Sequence, residues 1–403
     1  MSRPLEGIRV VDWTIWQQGP IASMILADLG ADVIKIEERV GGDPGRGVLR
    51  SAGVEVSQLP NFYFEAHNRG KRSLALDLKK GEAREIVCKL ADKADVFVQN
   101  FRPGAAERMG LDAKTLRARN PRLIYASGTG FGRRGPDAER PCMDYLGLAR
   151  SGIMNAVGDA EAPPQAVQGA IADQMGGTML AFAVVTALYE RERSGEGQEV
   201  DASLLGSMGW LQGLSVASRL MLGFEMVRFS RGSTWNALWN HYRCKDDKWI
   251  AFAMAQADRF WGDLVRVIGA PDLATDERFA TMEARGQNAA ETVRRLDEVF
   301  ATRNRDDWVK ILDEGGDFIW SCVNSVTDLP HDPQMRANGY ISSVDHPTHG
   351  PLEMMNFPIG LSRTPPAIER TAPEFGQHTE QVLIDELGYT WEQIGALKES
   401  EVL

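Results

Sequence analysis

Cysteine and histidine are scarce in this sequence, and neither occurs in a metal-binding pattern. The 403 residues include four cysteines, none in a CxxC pair, and six histidines, none with HxxxH or HExxH spacing. The sequence therefore predicts neither a disulfide framework nor a metal site. The most apolar stretch, residues 179–188, is too short to span a bilayer, and residues 1–13 lack the apolar run of a secretory signal. We expect a reduced, cytoplasmic protein that contacts no membrane.

Positive charge is in the minority. Lys and Arg total 45 against 56 Asp and Glu, which gives a formal net charge of −11. A uniformly acidic chain is a poor binder of nucleic acid, so we expect no nucleic-acid partner. An anionic ligand would need a local cluster of basic side chains.

Short apolar runs alternate with amphipathic stretches through the first 200 residues. Strands are predicted at residues 8–11, 33–36, 73–76, 96–98 and 123–127, and helices at 21–29 and 82–91. This alternation predicts an α/β fold with a large Rossmann-like domain on a mainly parallel sheet. Ligands of such sheets bind in the loops beyond the carboxyl ends of the strands.

The pattern of apolar and polar residues changes in the rest of the chain. Residues 176–190 form a predicted helix that is apolar on nearly every face, which places it inside the protein or against a partner subunit. A second long helix is predicted over 202–221, and aromatic residues crowd the segment after 227. We predict a large α/β domain over residues 1–224, a small α+β domain over 225–335, and a return segment over 336–403 whose terminal helices pack on the large domain.

The strand–helix–strand pattern at the start of the chain is similar to that of a dinucleotide-binding unit, so a dinucleotide site is the first function to consider. The turn after the first strand reads DWTIWQQGP, and Glu37 stands at the end of the second strand. A pyrophosphate needs the bare backbone of GxGxxG at that turn, whereas two Trp and two Gln occupy it. We therefore expect the fold without an NAD site.

Asp173 is the acid with the most unusual surroundings. It lies in QGAIADQMGGTMLAF, at the entrance of the apolar helix and just before Gly176 and Gly177. One interpretation is a helix N-cap, because a carboxylate gains there from the first backbone amides. The other is a nucleophile that the two glycines leave open to a substrate. Local sequence does not separate the two.

Basic residues cluster beside three predicted strand ends. They are Lys71, Arg72, Lys79 and Lys80 around the strand at 73–76, Arg102 and Arg108 after the strand at 96–98, and Arg133 and Arg134 after the strand at 123–127. Charge in one such loop is ordinarily only solvated. Loops that converge would instead hold a phosphorylated ligand.

Longer segments, taken in order, resemble one enzyme family. They are PLEGIRVVDWT, GPIASMILADLGADVIKIE, GDPGRG, NRGKRSLALDLKK, ADVFVQNFRPGAAERMGLD, NPRLIYASGTGFGRRGP, IADQMGGTMLAFAVVTALYERERSGEGQEVDASL, HDPQMRANGY and APEFGQHTEQVL. The chain resembles the class III CoA-transferases, the CaiB/BaiF-like group that includes formyl-CoA transferase and carnitine CoA-transferase. The matches span nearly the whole chain, so the resemblance is specific although no single segment would be.

The resemblance implies an activity and a set of site residues. Asp173 falls on the family's catalytic aspartate, and Gln17 on a glutamine beside the reacting thioester. Positions that contact coenzyme A fall at Gln18, Leu76, Lys79, Asn100, Phe101, Arg102, Arg108 and Met109. The implied enzyme moves CoA from an acyl-CoA, by family habit succinyl-CoA, to a carboxylic acid through a mixed anhydride and an aspartyl-CoA thioester. CoA is then a substrate, no cofactor or metal is held permanently, and the fold is an interlocked homodimer whose small domain closes over the CoA.

Departures from the family leave other functions open. A racemase of this scaffold has a His before the Asp, but here Met143 precedes Asp144, and racemisation needs an acid/base on both faces. Cys142 replaces a basic CoA contact, and RGSTWNALWNHY stands where formyl-CoA transferase has a glycine run, which disfavours oxalate and formate. The alternatives are an acyl-CoA racemase or isomerase, and a non-catalytic CoA-binding subunit of a heteromeric transferase.

The acceptor acid is the least constrained part of this prediction. The aromatic segment 235–249, together with Trp13 and Trp16, would line either an acyl pocket or a packed core. If these side chains line the site, the acceptor is a bulky, aromatic or branched acid.

Overall fold

A parallel β-sheet forms the centre of the longer part of the chain. The computed structural model describes residues 3–48, 50–51, 54–55 and 59–403. Unit 1 comprises Met1–Met154, Ala166–Phe224 and Ala337–Leu403, and unit 2 comprises Asn155–Gln165 and Glu225–Arg336. Residues 155–165, which the sequence prediction placed in the large domain, thus belong to the second unit.

The elements of the described residues are as follows. The strands are β1 (Arg9–Trp13), β2 (Asp32–Glu38), β3 (Arg50–Ser51), β4 (Val54–Glu55), β5 (Lys71–Leu76), β6 (Val96–Gln99), β7 (Ile124–Thr129), β8 (Glu199–Ser203), β9 (Trp239–Arg243), β10 (Trp249–Ala253), β11 (Trp320–Val323), β12 (Ile341–His346) and β13 (Gly350–Met355). The α-helices are α1 (Gln18–Asp28), α2 (Phe62–Asn68), α3 (Gly81–Lys93), α4 (Ala105–Met109), α5 (Ala113–Arg119), α6 (Asp144–Ser151), α7 (Ile171–Ser194), α8 (Leu204–Leu211), α9 (Gly213–Leu222), α10 (Ala257–Val267), α11 (Asp272–Thr275), α12 (Met282–Gln287), α13 (Ala289–Phe300), α14 (Arg305–Gly315), α15 (Pro333–Ala337), α16 (Thr379–Leu387) and α17 (Trp391–Glu399).

Six strands of unit 1 form one parallel sheet in the order β5-β2-β1-β6-β7-β8. Successive residues of a strand face opposite sides, and Val10 and Val11 accordingly belong to different cores. Helices α1 and α7 cover the side of Val10, and helices including α3, α5, α16 and α17 cover the side of Val11. The predicted α/β fold with a parallel sheet is confirmed, and its two apolar faces are both covered, as such sheets require.

The strand order reverses between β1 and β6. From β1 the sheet continues to β2 and β5 on one side, whereas β6 leads to β7 and β8 on the other. The loops that follow β1 and β6 therefore diverge and leave a crevice. Open α/β sheets bind their ligands at this kind of reversal.

The segment after α7 differs from its prediction. A continuous helix was expected over 202–221, but residues 199–203 form the edge strand β8, and α8 and α9 follow as two separate helices. The strand forms because β7 has a free edge, with which β8 pairs from Tyr125↔Glu199 to Thr129↔Ser203. That pairing is a long-range contact, so the local sequence does not encode it.

Helix α7 is longer than the apolar stretch that its sequence shows. It has 24 residues and, by length and composition alone, could cross a membrane. In unit 1, however, Leu180 and Val184 are buried in the core beside α1. Phe182 and Tyr189 are exposed. Helix α7 is therefore built as a core helix with one uncovered apolar side.

Unit 2 has an α+β core of its own. Strands β9, β10 and β11 form an antiparallel sheet, and α10, α13 and α14 bury side chains beside it. Phe300 lies at the centre, with its ring 5.2 Å from Tyr242 and 5.0 Å from Trp308. Trp235 and Trp239, by contrast, are exposed.

Candidate active site

Asn100 joins the two loops that form the crevice. Its side-chain nitrogen donates to the carbonyl oxygen of Ile15 at 2.8 Å, and its Oδ1 accepts from the Ile15 N–H at 2.9 Å. Gly19, in the first turn of α1, packs beside this clamp, because a Cβ there would lie 2.9 Å from Asn100 Cγ. Helix α1 therefore begins at the crevice and carries Gln17 and Gln18 with it.

A buried ion pair fixes the turn that presents Gln17. Trp16 has a left-handed backbone, with φ 63°, which costs an L-residue roughly 1–2 kcal/mol. Its N–H donates to Asp43 Oδ1 at 3.1 Å, and Asp43 Oδ2 lies 2.8 Å from the buried Lys35 Nζ. Lys35 also donates to the carbonyl oxygen of Thr14 at 2.9 Å. These contacts hold the strained turn in place.

Asp173 lies in the first turn of α7 but does not cap it. The N-cap is Ala170, in the left-handed conformation and without a side-chain cap, so the interpretation of Asp173 as an N-cap is wrong. Gly176 and Gly177 do not open the site to a substrate either. A Cβ at Gly177 would lie 2.6 Å from the backbone oxygen of Gln18, so the glycines allow α7 to pack on α1.

The amides of that first turn bind a different carboxylate. Asp144 Oδ1, from the start of α6, accepts the N–H of Ala172 at 2.7 Å and the N–H of Asp173 at 3.1 Å. On the other side, Gln17 Nε2 donates to the carbonyl oxygen of Ala170 at 3.4 Å. The backbone that carries Asp173 is thus held from both α6 and the loop after β1.

Asp173 has a pKa suited to a reactive carboxylate. Burial, followed by the charge of Asp144, raises its pKa to about 7. Burial also raises the pKa of its neighbours Tyr63 and Cys142, the latter to about 11, and the charge of Asp173 adds to both shifts. Near neutral pH the site therefore combines a titrating carboxyl with an uncharged hydroxyl and an uncharged thiol.

Asp173 faces a cavity of about 440 Å³, here called the reaction cavity. Its lining residues are Ile15, Trp16, Gln17, Gln18, Tyr63, Asn100, Phe101, Arg102, Pro103, Ala105, Arg108, Gly128, Thr129, Gly130, Ala138, Arg140, Cys142, Met143, Asp173 and Leu204. All of them belong to unit 1.

A second cavity of about 370 Å³, here called the strand-end cavity, adjoins the first. Its lining residues are Trp13, Thr14, Ile15, Ile36, Glu37, Glu38, Gly42, Asp43, Pro44, Leu76, Asp77, Leu78, Lys79, Phe101 and Met109. Ile15 and Phe101 line both cavities. Each of the ten site residues named from the sequence lines one cavity or the other.

The structure also brings some basic residues to unexpected partners. Arg72 is bound by Asp32 and Glu386, and Lys71 is buried 2.8 Å from Asp12. Both were considered as phosphate contacts beside the sheet, and that interpretation is wrong because they lie inside β5 and are neutralised there. Lys79, Arg102 and Arg108 do line the cavities.

Sequence reasoning missed part of this site. Tyr63 comes from α2, and Leu204 comes from the start of α8. Asp144 was considered only as the Asp that follows the position of the racemase histidine. They meet Asp173 from separated parts of the chain, and no short motif contains any two of them. Gln18 was named as a CoA contact, but its Nε2 donates to the carbonyl oxygens of Thr129 and Ala202, at 3.3 Å each, so it also ties strand ends together.

Comparison with known proteins identifies the family. The model of CoA-transferase family III matches residues 5–379. The chain is 32% identical to the succinyl-CoA–D-citramalate CoA-transferase of Chloroflexus aurantiacus, over 100% of this chain and 98% of the relative. It is 32% identical to a formyl-CoA:oxalate CoA-transferase of Rhodopseudomonas palustris, with the same coverage. A CaiB/BaiF family protein from Brucella suis has a similar structure, with a TM-score of 0.85 and 32% identity over 96% of this chain and 100% of that one. The protein belongs to CoA-transferase family III and is a CoA-transferase.

Proposed function

We propose that the protein transfers CoA between carboxylic acids with Asp173 as its nucleophile. The observation that carries this proposal is the one carboxyl among the described residues that line the reaction cavity, that of Asp173, whose pKa is raised to about 7. Gln17 lines the same cavity, which adjoins a second, largely apolar cavity. A carboxylate nucleophile suits CoA transfer, because the thioester already holds the activation energy and CoA only has to move from one carboxylic acid to another.

The two cavities suit the two ends of an acyl-CoA. Ile36, Leu76 and Met109 give the strand-end cavity apolar walls for the adenine ring, and Lys79 stands at its edge. Arg102 and Arg108 are exposed beside the neighbouring loop and suit the phosphates. The pantetheine arm then passes Ile15 and Phe101, which brings the thioester to Asp173.

The proposed reaction balances without a proton. The Asp173 carboxylate attacks the thioester carbonyl, the C–S bond breaks, and a mixed anhydride and the CoA thiolate form. The thiolate attacks the aspartyl carbon and releases the donor acid, which leaves an aspartyl-CoA thioester. The acceptor carboxylate then reverses both steps, regenerates Asp173 and leaves as its own CoA thioester.

Gln17 is proposed to stabilise the oxyanion of each tetrahedral intermediate. Its side chain is buried and lines the reaction cavity, and its Nε2 hydrogen bond to Ala170 is long, at 3.4 Å. The amide carries two hydrogens, so one is available for a developing negative charge.

The acceptor is proposed to be a bulky or branched acid with one carboxylate. Around Asp173 the reaction cavity presents Trp16, Met143 and Leu204. Arg102, Arg108 and Arg140 line the same cavity, but among the described residues no cationic side chain contributes to the pKa shift of Asp173, so a second carboxylate directly beside the reacting one is proposed to lack a cationic partner. This differs from the relatives named for citramalate and oxalate, which are diacids.

Racemisation is less well supported by the same site. Met143 lines the reaction cavity at the position where the racemase branch has its histidine, and a thioether takes up no proton. Asp144 is occupied by the amides of α7.

A homodimer is proposed from the surface of α8 and α9. No residue of α9 is buried in the described chain, and a run of apolar side chains stands exposed: Trp210, Leu211, Leu214, Val216, Leu220, Met221, Leu222 and Phe224. An apolar surface of this extent is typical of a protein interface. A second copy of the chain, interlocked with the first as the family resemblance implies, is the proposed partner.

Trapping of the covalent intermediate tests the mechanism. Wild-type protein mixed with acyl-CoA and then hydroxylamine should carry a hydroxamate at Asp173, detected by peptide mass spectrometry. The Asp173→Asn variant should bind CoA with unchanged affinity, form no adduct and lose turnover. An adduct elsewhere, or turnover without any adduct, would refute the assignment.

A further inference from the structure

We propose that Asp144 is a positioning residue for Asp173: it caps the first turn of α7 from outside that helix and leaves the Asp173 carboxylate without backbone hydrogen bonds. The inference rests on the proposed role of Asp173 as nucleophile. It assigns to Asp144 a function in transfer that does not involve contact with the substrate.

The cap on α7 comes from outside the helix, as does the hydrogen bond from the Arg305 N–H at the start of α14 to Asp246. Helices α2, α5 and α17 are each capped by the side chain of the residue just before the helix, namely Asn61, Asp112 and Thr390. The N-cap of α7 is Ala170, whose side chain has no polar atom, and the N–H groups of Ala172 and Asp173 instead donate to Asp144. The cap therefore comes from a residue 28 positions earlier.

A glycine sets the distance over which this cap acts. Gly147, one turn into α6 from Asp144, faces α7 and α8. A Cβ at this position would lie 3.2 Å from Ala172 Cβ and 3.0 Å from Leu204 Cβ. The close approach of α6 to α7 is thus built into the packing, and it keeps Asp144 within hydrogen-bonding distance.

The cap changes the chemistry of Asp173. A carboxylate in the first turn of a helix ordinarily accepts hydrogen bonds from the free amides, which makes it less basic. Here Asp144 holds two of those amides, and no hydrogen bond contributes to the pKa shift of Asp173. Asp173 consequently keeps its basicity, and with it the nucleophilicity that an attack on a thioester requires.

Two titratable groups that face Asp173 stay uncharged over the useful range of pH, while the arginines that line the same cavity, Arg102, Arg108 and Arg140, are cationic. Tyr63 approaches from α2 and Cys142 from the loop before α6, and both have raised pKa values, for Cys142 about 11. His67, whose ring lies 4.8 Å from that of Tyr63, has its pKa lowered by burial to about 4. The fall in rate at acidic pH, the acidic limb of the rate profile, therefore reports the protonation of Asp173. The charge of Asp144 is what the variants below change.

The test compares Asp144→Asn with Asp144→Ala. The first keeps the acceptor oxygen and removes the charge, and the second removes both. The readouts are the single-turnover rate of adduct formation at Asp173 from pH 5 to 9, kcat and KM for the acyl-CoA, and the melting temperature. Asp112→Asn and Asp112→Ala are matched controls, because Asp112 caps α5 and lines neither cavity.

Asp144→Asn should move the acidic limb to lower pH by about one unit, because a like charge is lost, and should keep KM within about twofold. Asp144→Ala should also lower the plateau rate at least about tenfold, since small misplacements of a nucleophile are costly. Both Asp112 variants should change only the melting temperature. If Asp144→Ala does not fold, Asp144→Asn alone decides.

Three results would overturn the inference. In the first, the limb of Asp144→Asn stays at the wild-type position. In the second, Asp144→Asn abolishes the adduct, which would make Asp144 a catalytic group. In the third, Asp144→Ala matches Asp112→Ala and loses stability alone. A wild-type protein without any adduct would refute the proposed function itself, a result that the variants cannot produce.

Discussion

The side-chain amide of Gln17 donates to the carbonyl oxygen of Ala170, three residues before Asp173, at 3.4 Å. The group proposed to bind the oxyanion and the helix that carries the nucleophile are therefore in direct contact. Gln17→Ala should lower kcat by about 10²–10³-fold with a small change in KM, as loss of an oxyanion donor does. Steady-state kinetics with one acyl-CoA check this, and Gln17→Glu should not restore activity because it supplies no amide donor. A kcat within threefold of wild type for Gln17→Ala would contradict the role.

The pH dependence of the wild-type protein follows from Asp173. Its pKa is raised to about 7, so the reactive carboxylate is in the minority below that pH. We expect the rate of adduct formation to fall about tenfold for each unit of pH below 6 and to level off above 8. Quenched-flow measurement of the adduct at Asp173, or of the donor acid released in the first turnover, checks this. A flat profile down to pH 5 would mean that Asp173 is an ordinary exposed acid.

The free energy of unfolding should also depend on the ionisation of Asp173. Its pH dependence should be opposite to that of the rate, because stability falls as the pH rises. A carboxyl whose folded pKa is raised above its ordinary value stabilises the fold while it is protonated, and this contribution is lost as the pH rises towards 7. Asp173→Asn should therefore be more stable than wild type by about 1–3 kcal/mol at pH 8.5 and should lose that advantage at pH 4.

Asp112 is a control whose pKa is shifted in the opposite direction from that of Asp173. Burial alone would raise its pKa, but hydrogen bonds from Thr115 lower it overall. Asp112→Asn should thus reduce stability at pH 8.5 and approach the wild type in acid. Urea titrations at both pH values measure the two variants, and an Asp173→Asn protein that is destabilised at pH 8.5 would contradict the burial of this charge.

The arginines of the reaction cavity should recognise the phosphates of CoA. Arg108→Ala should raise KM for acyl-CoA about tenfold, as loss of a charge-assisted hydrogen bond predicts, and should leave KM for an acyl-pantetheine unchanged because that substrate has no phosphate. Arg133→Ala is the matched control, since Arg133 pairs with Glu199 and lines neither cavity. Equal losses with both substrates would assign Arg108 a structural role instead.

The acceptor preference is open to a direct competition. Aromatic and branched monocarboxylic acids should accept CoA faster than succinate or oxalate of equal concentration, because Trp16, Met143 and Leu204 line the reaction cavity and, among the described residues, no cationic side chain contributes to the pKa shift of Asp173. Chromatography of the acyl-CoA products from one mixture ranks them. Activity confined to oxalate would defeat this preference and leave the family assignment untouched.

The exposed face of α9 predicts the assembly state. Leu220→Asp, at a side chain that is 79% exposed, should shift the protein from dimer to monomer or prevent its folding, because a charge would enter the proposed interface. Trp391→Asp is the control, at an equally apolar side chain that is 70% exposed at the start of α17. Sedimentation velocity distinguishes the species, and a Leu220→Asp dimer as stable as wild type would exclude this face.

The buried strands of the sheet could be predicted from the sequence, because a buried strand requires a local run of apolar residues. Residues 33–36 and 96–98 are such runs, and β2 and β6 lie there. Resemblance to a family supplied Asp173 and nine other residues that line the cavities. Asp144 and Tyr63 could not be found in the same way, because their roles depend on how α6 and α2 pack rather than on their neighbours in sequence. Gly177 shows the same limit: its pattern fits an open site equally well, and only the distance to Gln18 reveals a packing contact.

Ile15 and Phe101 stand where the two cavities meet. The scaffold therefore fixes the distance between the two ends of a bound acyl-CoA. If a nucleotide is fixed at one end, the sulfur at the other end can reach only one depth, so the flexible arm between them must have the right number of bonds. A thioester built on an arm one carbon longer or shorter would be held firmly yet present its carbonyl to the wrong atoms. Selectivity for the carrier would then come from length, independently of any group that recognises the acyl chain.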